Sequence, residues 1–67
     1  MLLQITPTDR NALRWLASGK NATEIAGGFG ITEREAQALV ASLLRKMGVR
    51  TSVEAVAAAF TRGLLSD

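Results

Sequence analysis

An all-α fold of four helices is what this sequence predicts, and three observations predict it: a repeated helix-start pattern, a glycine after each helix, and apolar residues at helical spacing. Thr6, Asn21, Thr32 and Thr51 are each followed, three residues on, by a carboxylate: Asp9, Glu24, Glu35 and Glu54. In that spacing the cap side chain accepts from an otherwise orphan amide of the first turn. The acid bonds back to the cap or complements the helix dipole. Gly19, Gly30, Gly48 and Gly63 are the matching stops, because glycine takes the left-handed backbone that ends many helices. The chain therefore divides into helices over about 7–18, 22–28, 33–47 and 52–62.

The first helix opens at Thr6-Pro7, with proline where its missing amide costs nothing. Ala12, Leu13, Trp15, Leu16 and Ala17 give it a broad core-facing side, with Trp15 read as core and not as a stacking platform. Residues 1–5 are a lead-in in which Leu2, Leu3 and Ile5 offer apolar surface without a period. The second helix is short, with Ile25, Ala26 and Phe29 inward. Its Gly27-Gly28 pair is costly in a helix interior, about 1 kcal/mol per glycine relative to alanine. Either the helix ends early there or a neighbour approaches the backbone closely.

The third helix carries Ala36, Val40, Leu43, Leu44 and Met47 as an inward stripe. Arg34, Gln37, Ala38, Ala41 and Arg45 face away, and Leu39 lies on the flank. The fourth places Val53, Val56, Ala57 and Phe60 on one side, read as inward, and Ala55, Ala58, Ala59 and Arg62 on the other. That second side is smooth enough for a packing partner, although alanine is also simply the best helix former. Leu64-Leu65 is expected to fold back over the core. The predicted core is Leu13, Leu16, Ile25, Val40, Leu43, Leu44, Val56 and Phe60. The second and third helices, joined by the tight turn Phe29-Gly30-Ile31, form a helix-turn-helix unit over about 21–47, the arrangement that enters DNA grooves.

The 67 residues make one domain, 1–67, too small to bury a large cofactor, and none is expected. Cysteine and histidine are both absent. Disulfides, thiolate chemistry, the usual zinc ligands and the commonest general base are thereby excluded, and no catalytic or metal constellation emerges. An enzyme reading has nothing behind it. A net charge of +2 argues only weakly for nucleic acid. Its placement says more: Arg45, Lys46 and Arg50 cluster at the end of the third helix, where they suit either the helix dipole or DNA phosphates. Without a signal peptide or an apolar run of about 20 residues, the chain reads as soluble and cytoplasmic, with no membrane partner.

These residues resemble the LuxR-type helix-turn-helix domain of quorum-sensing regulators and NarL/FixJ-type response regulators. Carrying the resemblance are Ile5-Thr6-Pro7, Leu13-Arg14, Leu16-Ala17, Gly19, Glu24-Ile25-Ala26 and Ile31-Thr32. It continues through Leu43-Leu44-Arg45-Lys46-Met47-Gly48-Val49-Arg50 and Glu54-Ala55-Val56, covering about residues 4–65 without a gap. The resemblance implies a transcription-regulating module that binds double-stranded DNA with its third helix in the major groove. On that reading Arg34, Gln37, Ala38 and Ala41 face the bases, and Arg45, Lys46 and Arg50 hold phosphates. Glutamine can pair with adenine and alanine can touch a thymine methyl. It also implies dimerisation through the fourth helix, for which the smooth side of Ala55, Ala58, Ala59 and Arg62 is the surface available, with so modest an area that pairing is weak.

The departures from the family fall on the DNA side. Where it commonly has threonine, valine, lysine and then often histidine, this chain has Glu35, Ala36, Gln37 and Leu39. Ala22-Thr23 and Gly27-Gly28 replace residues that are commonly polar or charged. Glu35 either completes the capping box or repels DNA; Leu39 either widens the core stripe or joins Ala38 and Ala41 in an apolar patch. Hence a second class stands beside the first: a LuxR-like antiactivator that pairs with another LuxR-type regulator and binds DNA weakly or not at all. Met1 and Asp67 flank the domain so closely that the chain fits either a stand-alone small protein or the C-terminal domain of a larger one.

Overall fold

The computed structural model describes residues 5–65, and the lead-in residues 1–4 lie outside them. Four helices follow in order: α1 (Pro7–Ala17), α2 (Ala22–Phe29), α3 (Glu33–Met47) and α4 (Ser52–Thr61). Among the described residues there is no strand. Each helix begins with a complete reciprocal capping box, at Thr6/Asp9, Asn21/Glu24, Thr32/Glu35 and Thr51/Glu54. Each ends where the chain passes through a positive-φ glycine. Beyond those glycines the amides of Lys20, Ile31, Val49 and Leu64 reach back to the carbonyls of Trp15, Ala26, Leu44 and Ala59, closing the final turns. Caps and stops, not intrinsic propensity, set these boundaries.

Packing is organised around α3, which touches α1, α2 and α4, while α1 also lies against α4. Two buried clusters result. Ala12, Leu13, Leu43, Met47, Ala55 and Ala59 tie α1, α3 and α4 together, with Leu64 and Leu65 folded against them. Ile25, Ala26 and Ala36 join α2 to α3, and Leu16 and Phe29 border both clusters.

The fourth helix overturns its sequence reading. Ala55 and Ala59 are fully buried, whereas Phe60 is 78% and Val53 80% exposed. Val56 is only half-buried and Ala57 exposed. The physical reason is close approach: α4 lies against α1 and α3, and small side chains at the contact let it come near Leu13, Leu43 and Met47. Because both sides of α4 are apolar, their pattern does not discriminate between them.

Gly27 and Gly28 are also resolved. The helix continues through both to Phe29. A Cβ on Gly28 would fall 1.8 Å from the Trp15 ring, which in turn meets Phe29 edge-on at a centroid distance of 5.7 Å. A Cβ on Gly27 meets nothing. Gly27→Ala is therefore expected to raise stability by about 0.5–1 kcal/mol through helix propensity and a less entropic unfolded chain. Gly28→Ala should lower it by about 1–3 kcal/mol as Trp15 is displaced. Thermal melts of the two variants check the opposite signs.

Candidate nucleic-acid interface

The turn between α2 and α3 is made by three residues, Gly30, Ile31 and Thr32. Gly30 turns the chain with φ +71°, a conformation that side chains rarely adopt, and the Ile31 amide closes on the Ala26 carbonyl at 3.0 Å. Ile31 anchors the turn by packing on the cluster of Ile25, Ala26 and Ala36. Thr32 then caps α3, accepting from the Glu35 amide at 3.0 Å, while its own amide donates to Glu35 Oε1 at 2.9 Å. The bond from the Thr32 amide first, and the Thr32 hydroxyl beside the carboxylate second, hold the Glu35 carboxyl below its ordinary value. Glu35 thus has its capping role, with its charge directed back to the cap.

With one side of α3 buried through Ala36, Leu43 and Met47, the other presents Arg34, Gln37, Ala38, Ala41 and Arg45, all exposed. At about 100° per residue, Arg34, Ala38, Ala41 and Arg45 follow one line along the helix, with Gln37 beside it. A cation stands at each end of that line. Arg50 is exposed in the loop after Gly48. The structure brings six of the seven sequence-predicted contact residues to the surface.

Lys46 is the exception. Its ammonium lies 2.7 Å from Asp9 Oδ2, and the two side chains are 21% and 4% exposed, respectively. Asp9 also accepts from the Thr6 amide at 3.0 Å. Burial pushes the Asp9 carboxyl up, but the Lys46 ammonium and the bonds from Thr6 outweigh it and leave the group below its ordinary value of 3.8. Lys46 therefore fastens α3 to the start of α1, with its charge already partnered. The sequence holds a signal for this pair: Asp9, Ala12, Leu13 and Leu16 follow i, i+3, i+4, i+7 spacing, so Asp9 falls on the core side of α1.

An open alternative is decided at Leu39, and the predicted surface on α4 is corrected. Leu39 is half-buried against the larger cluster, so the apolar patch proposed with Ala38 and Ala41 shrinks to two alanines. Ala55 and Ala59 belong to the core and Ala58 packs against it, leaving Arg62 as the exposed member of the predicted dimer surface. The outward apolar side of α4 is Val53, Ala57 and Phe60 instead.

Residues 3–59 match the model of the luxR family of bacterial regulatory proteins. The chain belongs to this family. Among curated LuxR-family relatives it is 36% identical over 63 residues to the transcriptional activator protein AnoR of Acinetobacter nosocomialis, covering 94% of this chain and 26% of that protein. To the transcriptional activator protein BjaR1 of Bradyrhizobium diazoefficiens it is 33% identical over 63 residues, with the same coverages. To the quorum sensing-dependent transcriptional regulator RpaR of Rhodopseudomonas palustris it is 37% identical over 62 residues, 92% of this chain and 26% of the relative. The chain thus spans about a quarter of the length of these relatives. No solved structure gives a significant match. Among the described residues of this LuxR-family chain, no acidic cluster suited to a metal ion occurs, and no helix is long and apolar enough to cross a membrane.

Proposed function

We propose that residues 1–67 act as a DNA-binding module of a cytoplasmic transcriptional regulator, with α3 in the major groove of double-stranded DNA and no cofactor. The observation that carries this reading is the exposed line of Arg34, Ala38, Ala41 and Arg45, with Gln37 beside it, on the helix that follows a tight glycine turn. A groove about 12 Å wide accepts one such helix, and the leading residues of that helix reach base edges. Arg34 and Gln37 supply the polar base contacts, Ala38 and Ala41 suit thymine methyls, and Arg45 and Arg50 hold phosphates. With Lys46 engaged by Asp9, fewer cations serve the backbone, so affinity for mixed sequence is weak, ~10–100 µM for a monomer near physiological salt.

Pairing for a two-half-site target falls to α4. Its exposed Val53, Ala57 and Phe60 give a symmetric apolar contact, small enough that the domain pairs weakly or only on DNA. The same surface favours the second reading, in which α4 engages another LuxR-type regulator. Titration with mixed-sequence duplex at two salt concentrations, followed by amide shifts, tests the first reading. Shifts are expected from Thr32 to Gln37 and from Arg45 to Arg50; shifts confined to α1 would remove α3 from the groove. On sites selected from a random duplex pool, Phe60→Glu should abolish cooperative occupancy of paired half-sites and leave single half-sites unaffected. A parent that binds no duplex at low salt, with Phe60→Glu losing a regulator partner, would instead establish the antiactivator.

A further inference from the structure

The leading turn of α3 has an unfavourable composition for a helix meant to approach phosphates: Glu33, Arg34 and Glu35 in succession. Both acids are tied back, but in different ways. Glu35 is engaged by Thr32 in the capping box, a local arrangement repeated at every helix of the molecule. Glu33 is engaged by Thr23, the second residue of α2, whose hydroxyl donates to Glu33 Oε2 at 2.5 Å. This bond completes no cap. It spans the helix-turn-helix unit, with both partners exposed on the surface.

We infer that the Thr23 hydroxyl is a positioning group for DNA binding, sequestering the Glu33 carboxylate against α2 so that Arg34 is the charge that leads α3 into the groove. This rests on the DNA-binding reading above. Glu33 and Arg34 point about 100° apart around the helix, so holding one toward α2 leaves the other on the outward line with Ala38, Ala41 and Arg45. A hydroxyl has one proton to donate, and Thr23 commits it to this carboxylate. Released from Thr23, the carboxylate would swing among rotamers that bring it near the phosphates, and a like charge about 4 Å from a phosphate costs about a fivefold factor in binding even at the dielectric of water.

Thr23→Val tests this without altering any charge. Binding of a labelled mixed-sequence duplex at low salt is measured for the wild type, Thr23→Val, Thr23→Ser, Glu33→Gln and Thr23→Val/Glu33→Gln, each checked by thermal melting. Thr23→Ala removes the same hydroxyl and replaces the valine variant if the methyl that stands in for the hydroxyl disturbs α2. Thr23→Val should bind about fivefold more weakly. Thr23→Ser should match the wild type, and Glu33→Gln should bind at least as tightly as the wild type. The double variant should match Glu33→Gln, because the hydroxyl has no charge left to sequester. A wild type that binds while Thr23→Val binds equally well overturns the inference alone, as does a double variant as weak as Thr23→Val. A wild type that binds no duplex overturns the DNA-binding reading and this inference with it, before any variant is compared.

Discussion

Leu43→Ala is expected to leave most of the molecules unfolded. Leu43 is fully buried in the cluster that joins α1, α3 and α4, and its neighbours there include Ala12, Ala55 and Ala59. Those alanines have no rotamers with which to fill the space that a truncated leucine leaves. The cavity would therefore persist, placing the cost toward the upper part of the usual range of about 2–5 kcal/mol. A chain of this size has only ~3–5 kcal/mol of stability to lose. Leu44→Ala, at a half-buried position, should cost less and leave a cooperative transition. Circular-dichroism melts and amide exchange distinguish the outcomes; a Leu43→Ala variant that melts cooperatively with protected amides would show that the core is held elsewhere.

The contrast between Leu43 and Phe60 shows what the sequence could and could not convey. Capping is local chemistry with fixed spacing, so Thr32, Glu35 and Gly30 specified the start, the box and the turn of the α2–α3 unit without tertiary information. On α3 the large apolar residues Val40, Leu43, Leu44 and Met47 share one stripe, so the exposure of Arg34, Gln37 and Arg45 on the other side was legible as well. On α4 they do not separate. With valine, alanine and phenylalanine distributed around the helix, the inward side is decided by how closely neighbouring helices can approach, a property of the assembled fold. Ala55 and Ala59 won over Phe60 for that reason. Thr23 and Glu33 lie ten residues apart on different helices, and only the geometry of the turn brings them together. Lys46 was missed because a basic residue near a helix C-terminus has two ordinary explanations, dipole and phosphate, neither of which involves α1.

Lys46→Met is expected to remove the stability that Asp9 contributes above its folded-state pKa. In the wild type the folded carboxyl titrates below its ordinary value of 3.8, so it contributes stability that is present above that value and lost as pH falls through the folded one. Methionine keeps the helix and the packing of the aliphatic stem but withdraws the ammonium. Asp9, with a side chain only 4% exposed, then carries a buried charge whose cation is gone, and burial, opposed now by the Thr6 bonds alone, should push its pKa up from the wild-type position. Stability near neutral pH falls by about 2–4 kcal/mol, below the cost of breaking a fully buried pair because the lysine side of this one is partly wet. As pH drops toward about 4 the carboxyl takes a proton, the uncompensated charge disappears, and the gap to the wild type narrows. Asp9→Asn/Lys46→Met isolates the effect from other carboxylates. The amide can still accept from Thr6 and needs no cation, so the double variant should be more stable than Lys46→Met near neutral pH and no more stable below about 4. Urea titrations at the two pH values provide the test. A Lys46→Met variant as stable as the wild type at neutral pH would mean that the Asp9–Lys46 contact contributes nothing to the fold, and Lys46 would then be free to serve a phosphate after all.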